Sequence, residues 1–266
     1  MRVIVLVKQV PDMERVKFDT EKGVIDRKSA GTEINPFDLN ALETALQIGE
    51  KTNSEIIVLS MGPHSAEQSI RDAIARGAHK GILLNDKKFG GSDVKATSVT
   101  ICAGIKKIGN FDLIIAGMQS VDGDTGQVGA EIAQILKIPH ISFVEKLNEF
   151  DCNSLTVTSN IWEGIYLKKV KLPALITVTK DINIPRLPSF KNKMLARKAE
   201  VTVWGYDDLE EHLEESQLGF KGSPTKVKKI VIPKTAHREG KMWREDYSHA
   251  VDNLIEVFKC RKILEV

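Results

Sequence analysis

The chain reads as an α/β protein: a doubly wound parallel sheet with a small β extension, followed by a C-terminal arm and helix. Three observations predict this. Four short runs, Val3–Val7, Ile56–Leu59, Ile82–Leu84 and Leu113–Ala116, are apolar at every position, as strands buried on both faces of a parallel sheet are. Segments of helical periodicity separate them, which is the alternation that a doubly wound sheet requires. Finally, a glycine-rich run, Gly117-Met118-Gln119-Ser120-Val121-Asp122-Gly123-Asp124-Thr125-Gly126-Gln127-Val128-Gly129, follows the fourth strand and leads into an amphipathic helix, Val128 to Lys137.

The elements follow in order. The first strand ends at Lys8-Gln9-Val10-Pro11. Asn35-Pro36-Phe37-Asp38 opens the first helix: Asn35 suits the N-cap and Pro36 the first helical position. Leu42, Ala45, Leu46 and Gly49 then share one face. After the second strand and Ser60-Met61-Gly62-Pro63, a helix begins near Ser65, buries Ile70, Ala73 and Ile74, and ends at Gly77, a residue suited to a left-handed cap. A third helix spans about Asp93 to Ile108, with Val94, Val99, Ile101, Ile105 and Ile108 as core candidates. Beyond Pro139 the pattern changes. Leu155–Ser159 and Gly164–Val170 read as strands on either side of Asn160-Ile161-Trp162-Glu163, and Ala174–Val178 as a further buried strand. From Pro185 regularity falls away. Ile184 to Met194 carries two prolines and a cluster of cations around Phe190 and Met194, either a solvated loop or an arm with apolar anchors in a basic rim. Asp246 to Leu264 is an amphipathic helix with Ala250, Leu254, Ile255 and Phe258 on one face, reached through the polar stretch Gly219 to Lys241. The division expected is an α/β domain over 1–184 and, over 185–266, a partner-recognition loop, an extended arm and a C-terminal helix that packs on a partner subunit.

Composition narrows the function. With 38 basic and 36 acidic residues in 266, nothing favours nucleic acid or an anionic membrane surface. The start, Met1 to Lys8, is too short for the apolar core of a signal peptide and reads as a strand. No apolar run approaches the roughly 20 residues that span a bilayer. Cys102, Cys152 and Cys260 are far apart, without a CxxC, so a metal or iron–sulfur site is not expected, and free thiols suit the cytoplasm. His79 and His140 sit beside apolar segments as packed or surface residues. No catalytic side chain is assigned.

The glycine-rich run has a specific chemistry. Such a turn between strand and helix exposes backbone N–H groups beside a helix N-terminus, and these bind phosphate without a cationic side chain. A tight turn with no ligand is the other reading. Asp122 and Asp124 would repel a phosphate, so they hold the turn or meet a ribose hydroxyl. In a doubly wound sheet the ligand crevice lies outside the carboxyl ends of the strands, where strand order reverses. Lys8 to Pro11, Ser60 to Pro63 and Gly117 onward all occupy that position.

Together these residues resemble the β subunit of electron-transfer flavoprotein. The shared motifs are Val7 to Asp12, Asn35 to Glu43, Ser60 to Pro63, Arg76-Gly77-Ala78, Asp122 to Gly129 and Pro185-Arg186-Leu187-Pro188. The resemblance implies a sheet of the adenine-nucleotide-binding type whose crevice holds AMP or the AMP half of an FAD. By position it places Leu6 and Lys8 at the end of the first strand. Asn35, Phe37, Asp38, Met61 and Gly62 then lie around the adenosine. Gly117, Gln119, Asp122, Gly123, Asp124, Thr125, Gly126, Gln127 and Val128 lie around the ribose and phosphates. It also implies an obligate heterodimer with an α subunit.

Two features resemble the electron-bifurcating type, in which a second FAD replaces AMP. Small residues stand at 123 and 126, leaving room for a pyrophosphate, where housekeeping members are bulkier. Asp86-Lys87-Lys88-Phe89-Gly90-Gly91-Ser92-Asp93 resembles a motif of that type, with Ser92 and Asp93 placed to cap the next helix and with Asp93 and Thr97 near the flavin. What this implies is hydride exchange with NAD(H), one electron to ferredoxin or flavodoxin, and one through the α-subunit FAD to a flavin-dependent dehydrogenase. That dehydrogenase would be a lactate dehydrogenase or an acyl- or enoyl-CoA reductase, met by the segment containing Arg186, Phe190 and Met194. The alternative is a housekeeping subunit with structural AMP.

Overall fold

The computed structural model describes residues 1–12, 17–19, 24–26, 31–226, 242 and 247–263. One compact unit covers Met1–Lys226 and another Val227–Val266. The first unit thus continues well past residue 184, the boundary expected for the α/β domain.

Strand β1 (Arg2–Leu6) is followed by short β2 (Gln9–Pro11), β3 (Lys17–Asp19), β4 (Val24–Asp26) and β5 (Thr32–Ile34). β2 pairs with β5, and β3 with β4. Helix α1 (Pro36–Thr52), β6 (Glu55–Met61), α2 (Glu67–Arg76), β7 (Lys80–Leu84), α3 (Val94–Ile108), β8 (Leu113–Gly117) and α4 (Val128–Leu136) continue the alternation. Then come β9 (His140–Phe150), β10 (Ser154–Ile161), β11 (Gly164–Lys171), β12 (Ala174–Val178), α5 (Phe190–Ala196), β13 (Thr202–Trp204) and α6 (Gly219–Gly222). Helix α7 (Tyr247–Cys260) belongs to the second unit.

Nine strands form one sheet in the order β11-β10-β9-β12-β8-β1-β6-β7-β13. β9, β12, β8, β1, β6, β7 and β13 run parallel, while β10 and β11 are the antiparallel extension. The period of 2 in β1 shows why two layers of helix form. Val3, Val5 and Val7 point into the core shared with α1 and α2, and Ile4 and Leu6 into the core shared with α3 and α4. The doubly wound expectation holds.

Three differences have physical causes. Eleven-residue β9 was not expected. Its pattern is broken by Phe143, at φ +57°, and by register shifts against β10, so the alternation that marks a strand is interrupted. Residues 190–196, expected to be irregular, form α5, because the Ser189 hydroxyl accepts from the Asn192 amide and caps it. Residues 202–218 are not an arm: β13 adds to the sheet beside β7, and Leu209, Leu213 and Leu218 are buried in the α3 side of the core. Residues 227–241, most of the stretch expected to be a polar linker, lie outside the described residues, as do Asp246 and Leu264. Among the described residues no helix is long and apolar enough to cross a membrane, and no cluster of His, Cys, Asp or Glu could hold a metal ion.

Candidate functional site

Strand order reverses at β1. The chain moves from β1 outward to β6 and β7, then returns to place β8 on the other flank. Outside the carboxyl ends of β1, β6 and β8, where such sheets take ligands, lies a cavity of about 460 Å³, well within the size of small-molecule sites.

The first turn of α1 builds one corner of it. Asp38 is buried and accepts from the Lys8 amide at 2.8 Å and the Gly117 amide at 3.2 Å. One carboxylate therefore ties together the ends of β1 and β8. Burial pushes its pKa up to about 7, against the opposing hydrogen bonds from Asn35, Lys8 and Gly117. Asn35 holds the N-cap position but makes no side-chain cap bond. Its side chain reaches the glycine-rich loop instead, donating to Gln119 O at 2.8 Å and accepting from the Val121 amide at 3.1 Å. The side-chain oxygen that would cap the helix is taken instead by the Val121 amide, 86 residues away.

Gly117 is required by this approach. A Cβ there would stand 2.4 Å from Asp38 Oδ1 and 2.7 Å from Phe37 Cβ. In the loop beyond it, Ser120 O accepts from the Gly123 and Asp124 amides, and Gln119 Nε2 donates to Asp124 Oδ1 at 2.5 Å. Asp124 and Gly126 take left-handed backbone, φ +53° and +63°. Lys8 Nζ sits 2.7 Å from Asp122 Oδ1 and 3.4 Å from Ser120 Oγ. Burial raises Asp122, but the bonds from Lys8 and Ser120 outweigh it and hold the carboxyl below its ordinary value. The two acidic loop residues thus engage side chains of the protein. Beside them stand the amides of the first turn of α4, which a helix leaves without internal partners. Gly129 lets that turn come close to β12, since a Cβ there would meet Thr177 Cγ2 at 2.5 Å.

Leu6, Lys8, Asn35, Asp38, Met61, Asp93, Thr97, Gly117, Gln119, Gly123, Thr125, Gly126, Gln127 and Val128 all line the cavity. Phe37, Asp122 and Asp124 are not among the lining residues, and Gly62 lines a smaller groove with Gln9 and Pro11. Missing from the sequence reading of the site is its apolar floor: Leu59, Ile101 and Ala116. The available signal was position alone, at strand ends and on one face of α3. The cap expected of Ser92 and Asp93 is made by Asp93 alone, which accepts from the Ala96 amide at 3.1 Å, whereas Ser92 donates back to Phe89 O at 2.7 Å.

A family model described as "Electron transfer flavoprotein domain" matches residues 22–209. The chain belongs to the electron transfer flavoprotein family. It is 40% identical over 265 residues to the electron transfer flavoprotein subunit beta of Thermoanaerobacterium thermosaccharolyticum, covering 99% of this chain and 100% of that one. It is 44% identical over 229 residues to the subunit of the same name in Clostridium acetobutylicum, covering 86% and 87%. The caffeyl-CoA reductase-Etf complex subunit CarD of Acetobacterium woodii is 41% identical over 234 residues, covering 88% of each.

In this electron transfer flavoprotein chain the segment around residue 190 lies apart from the crevice. Phe190 is 81% exposed, and Ile184, Leu187, Met194 and Leu195 are exposed with it. Arg186, expected to meet a partner, is engaged within the chain. Its Nε and Nη2 bond both oxygens of buried Glu43 at 2.8 and 3.0 Å, and Nη1 reaches Glu50 at 2.5 Å. Burial would raise Glu43, but these bonds keep it below its ordinary value.

Proposed function

We propose that this chain is the β subunit of an electron-bifurcating electron transfer flavoprotein. It would hold FAD in the crevice and form a heterodimer with an α subunit. NAD(H) would be the hydride partner. Ferredoxin or flavodoxin and a flavin-dependent dehydrogenase would take the electrons, the dehydrogenase being a lactate dehydrogenase or an acyl- or enoyl-CoA reductase. The relative named for a caffeyl-CoA reductase complex supports this class.

The observation that carries the reading is the set of residues that line the crevice. Its lining does not stop at the amides of 117–129 but continues to Gly91–Val94, Thr97 and Ile101, so a ligand can extend beyond one phosphate. The residues present fit a dinucleotide. Gly123 and Gly126 leave the loop without side chains at two lining positions. When bound, FAD supplies the hydride and single-electron chemistry. The protein's part is to bind and orient. Loop and helix amides hold the phosphates, Asp38 and Asn35 fix the loop, and Leu59, Phe89 and Ile101 keep water from the floor. No side chain acts as a general acid or base.

Nucleotides released from the purified heterodimer test the assignment. FAD on both subunits without AMP is the expected result, whereas AMP in place of the second FAD overturns it in favour of a structural nucleotide. Gly123→Val sharpens the test. A Cβ at 123 would meet nothing closer than Ser120 Oγ at 3.4 Å, whereas any side chain at Gly126 strains a φ of +63°. The valine is expected to leave stability within about 0.5 kcal/mol while lowering the FAD content. Undiminished flavin would place the pyrophosphate elsewhere.

A further inference from the structure

One wall of the crevice belongs neither to the strand ends nor to the glycine-rich loop. Phe89, Gly91, Ser92, Asp93 and Val94 form it, in the turn between β7 and α3. The turn opens with a single 3-10 turn, Lys87–Phe89, capped by Asp86, and continues through two adjacent glycines, with Gly91 at φ +74°. A distant stretch of chain, 219–226, is bonded along it and lines none of the cavity. The Phe220 amide donates to Gly90 O at 3.0 Å. The Asp93 amide donates to Ser223 Oγ at 2.8 Å. The approach is close enough to need glycine, since a Cβ on Gly219, at φ +52°, would lie 2.8 Å from Gly90 O.

Asp93 is where the two stretches join. One carboxylate oxygen accepts from the Ala96 amide at 3.1 Å, capping α3. The other accepts from the Thr225 amide at 2.9 Å and the Thr225 hydroxyl at 2.7 Å. Both oxygens of this acid are thus occupied by protein donors, although it lines a crevice suited to an anionic ligand. A carboxylate so satisfied does not bind the ligand; it shapes the wall that does.

We infer that Asp93 is a positioning residue for the nucleotide, joining the start of α3 to segment 219–226 and so holding the 89–94 wall against the ligand. The inference rests on the reading of the crevice as a nucleotide site. It assigns to a stretch of chain outside the cavity control over how long the ligand stays.

The test uses the full chain purified with its α subunit, and FAD as the probe, its release followed by the recovery of flavin fluorescence on dilution. Asp93→Asn keeps the helix cap, because asparagine caps as well as aspartate, but turns an amide donor toward the Thr225 N–H. FAD release should quicken about tenfold, the scale of one lost hydrogen bond. Thr225→Val should quicken release by a smaller factor, and Thr225→Ser, which keeps both donors, should restore the wild-type rate. The double variant Asp93→Asn/Thr225→Val should release no faster than Asp93→Asn alone. Wild-type release from Asp93→Asn, or additive effects in the double variant, would overturn the inference and leave the nucleotide site standing. If Asp93→Asn fails to fold, the contrast between valine and serine at 225 decides the matter by itself. A wild-type heterodimer with neither FAD nor AMP on this chain would remove the nucleotide site and the inference together.

Discussion

Helix α1 serves two regions that are built in opposite ways. Its first turn, with Asn35 and Asp38, grips the ends of β1 and β8 and the glycine-rich loop. Further along, Asn40, Glu43, Thr44 and Glu50 tie down residues 180–186. At the crevice the bonded groups are themselves the walls of the site, and the site is preorganised. At the other region the bonds hold the backbone, with Arg186 fixed on Glu43 and its own carbonyl accepting from Arg76 Nη1 at 2.6 Å, while the side chains of Ile184, Leu187 and Phe190 stay bare. A small ligand requires walls held in place before it arrives. A surface for a large partner needs only a fixed root and exposed apolar side chains.

The contrast can be broken from either side. The largest loss of stability is expected at the root of the arm. Arg186→Ala strands the buried Glu43 carboxylate and should cost about 2–3 kcal/mol in urea unfolding, below the value for a fully buried pair because Arg186 is 35% exposed. A cost under about 0.5 kcal/mol would mean that the arm is not anchored there.

Next comes Asp38→Asn, expected to cost about 2 kcal/mol, since an amide donor then faces one of two backbone donors. Its pH dependence separates it from other carboxylates. Asp38 titrates at about 7 in the folded chain against an ordinary 3.8, so the folded state holds a proton that the unfolded state has released between those values. Stability from this residue is fullest below pH 3.8 and falls as pH rises through 7. The asparagine variant lacks that slope, so its deficit against the wild type should be greater at pH 5 than at pH 8; an equal deficit would contradict the assignment.

The smallest effect on stability belongs to the tip of the arm. Phe190→Ala should change unfolding by less than about 0.5 kcal/mol. On the proposed function it should nevertheless weaken electron delivery to a partner dehydrogenase while leaving flavin reduction by NADH intact. Undiminished coupled turnover would show that the exposed ring is not the anchor.

The two regions also differ in how far they could be read from the sequence. The four apolar runs, the glycine loop and Gly77, which ends α2 at φ +130°, were legible because each is a local pattern with a local cause. Asn35 holds the N-cap position that its propensity predicts, but a tertiary donor, the Val121 amide, takes its side-chain oxygen. β13, at three residues, is too short to show alternation. Leu209, Leu213 and Leu218 follow no period, and only the packed structure shows that they belong to the core. Arg186 looked like a surface cation because its partner Glu43 lies 143 residues earlier. The bonds from Thr225 to Asp93 span 132 residues, and no pattern in the chain announces them.

The three cysteines make the chain ready for chemical labelling without substitution. Cys102 is buried, and burial pushes its thiol up to about 12, so it is inert to thiolate-directed reagents at neutral pH. Cys152, in the turn between β9 and β10, and Cys260, at the end of α7, are exposed. One exposed thiol therefore stands in each of the two compact units. A dye pair or a pair of spin labels on the native sequence would report the distance between those units, and whether it changes when nucleotide or a partner binds.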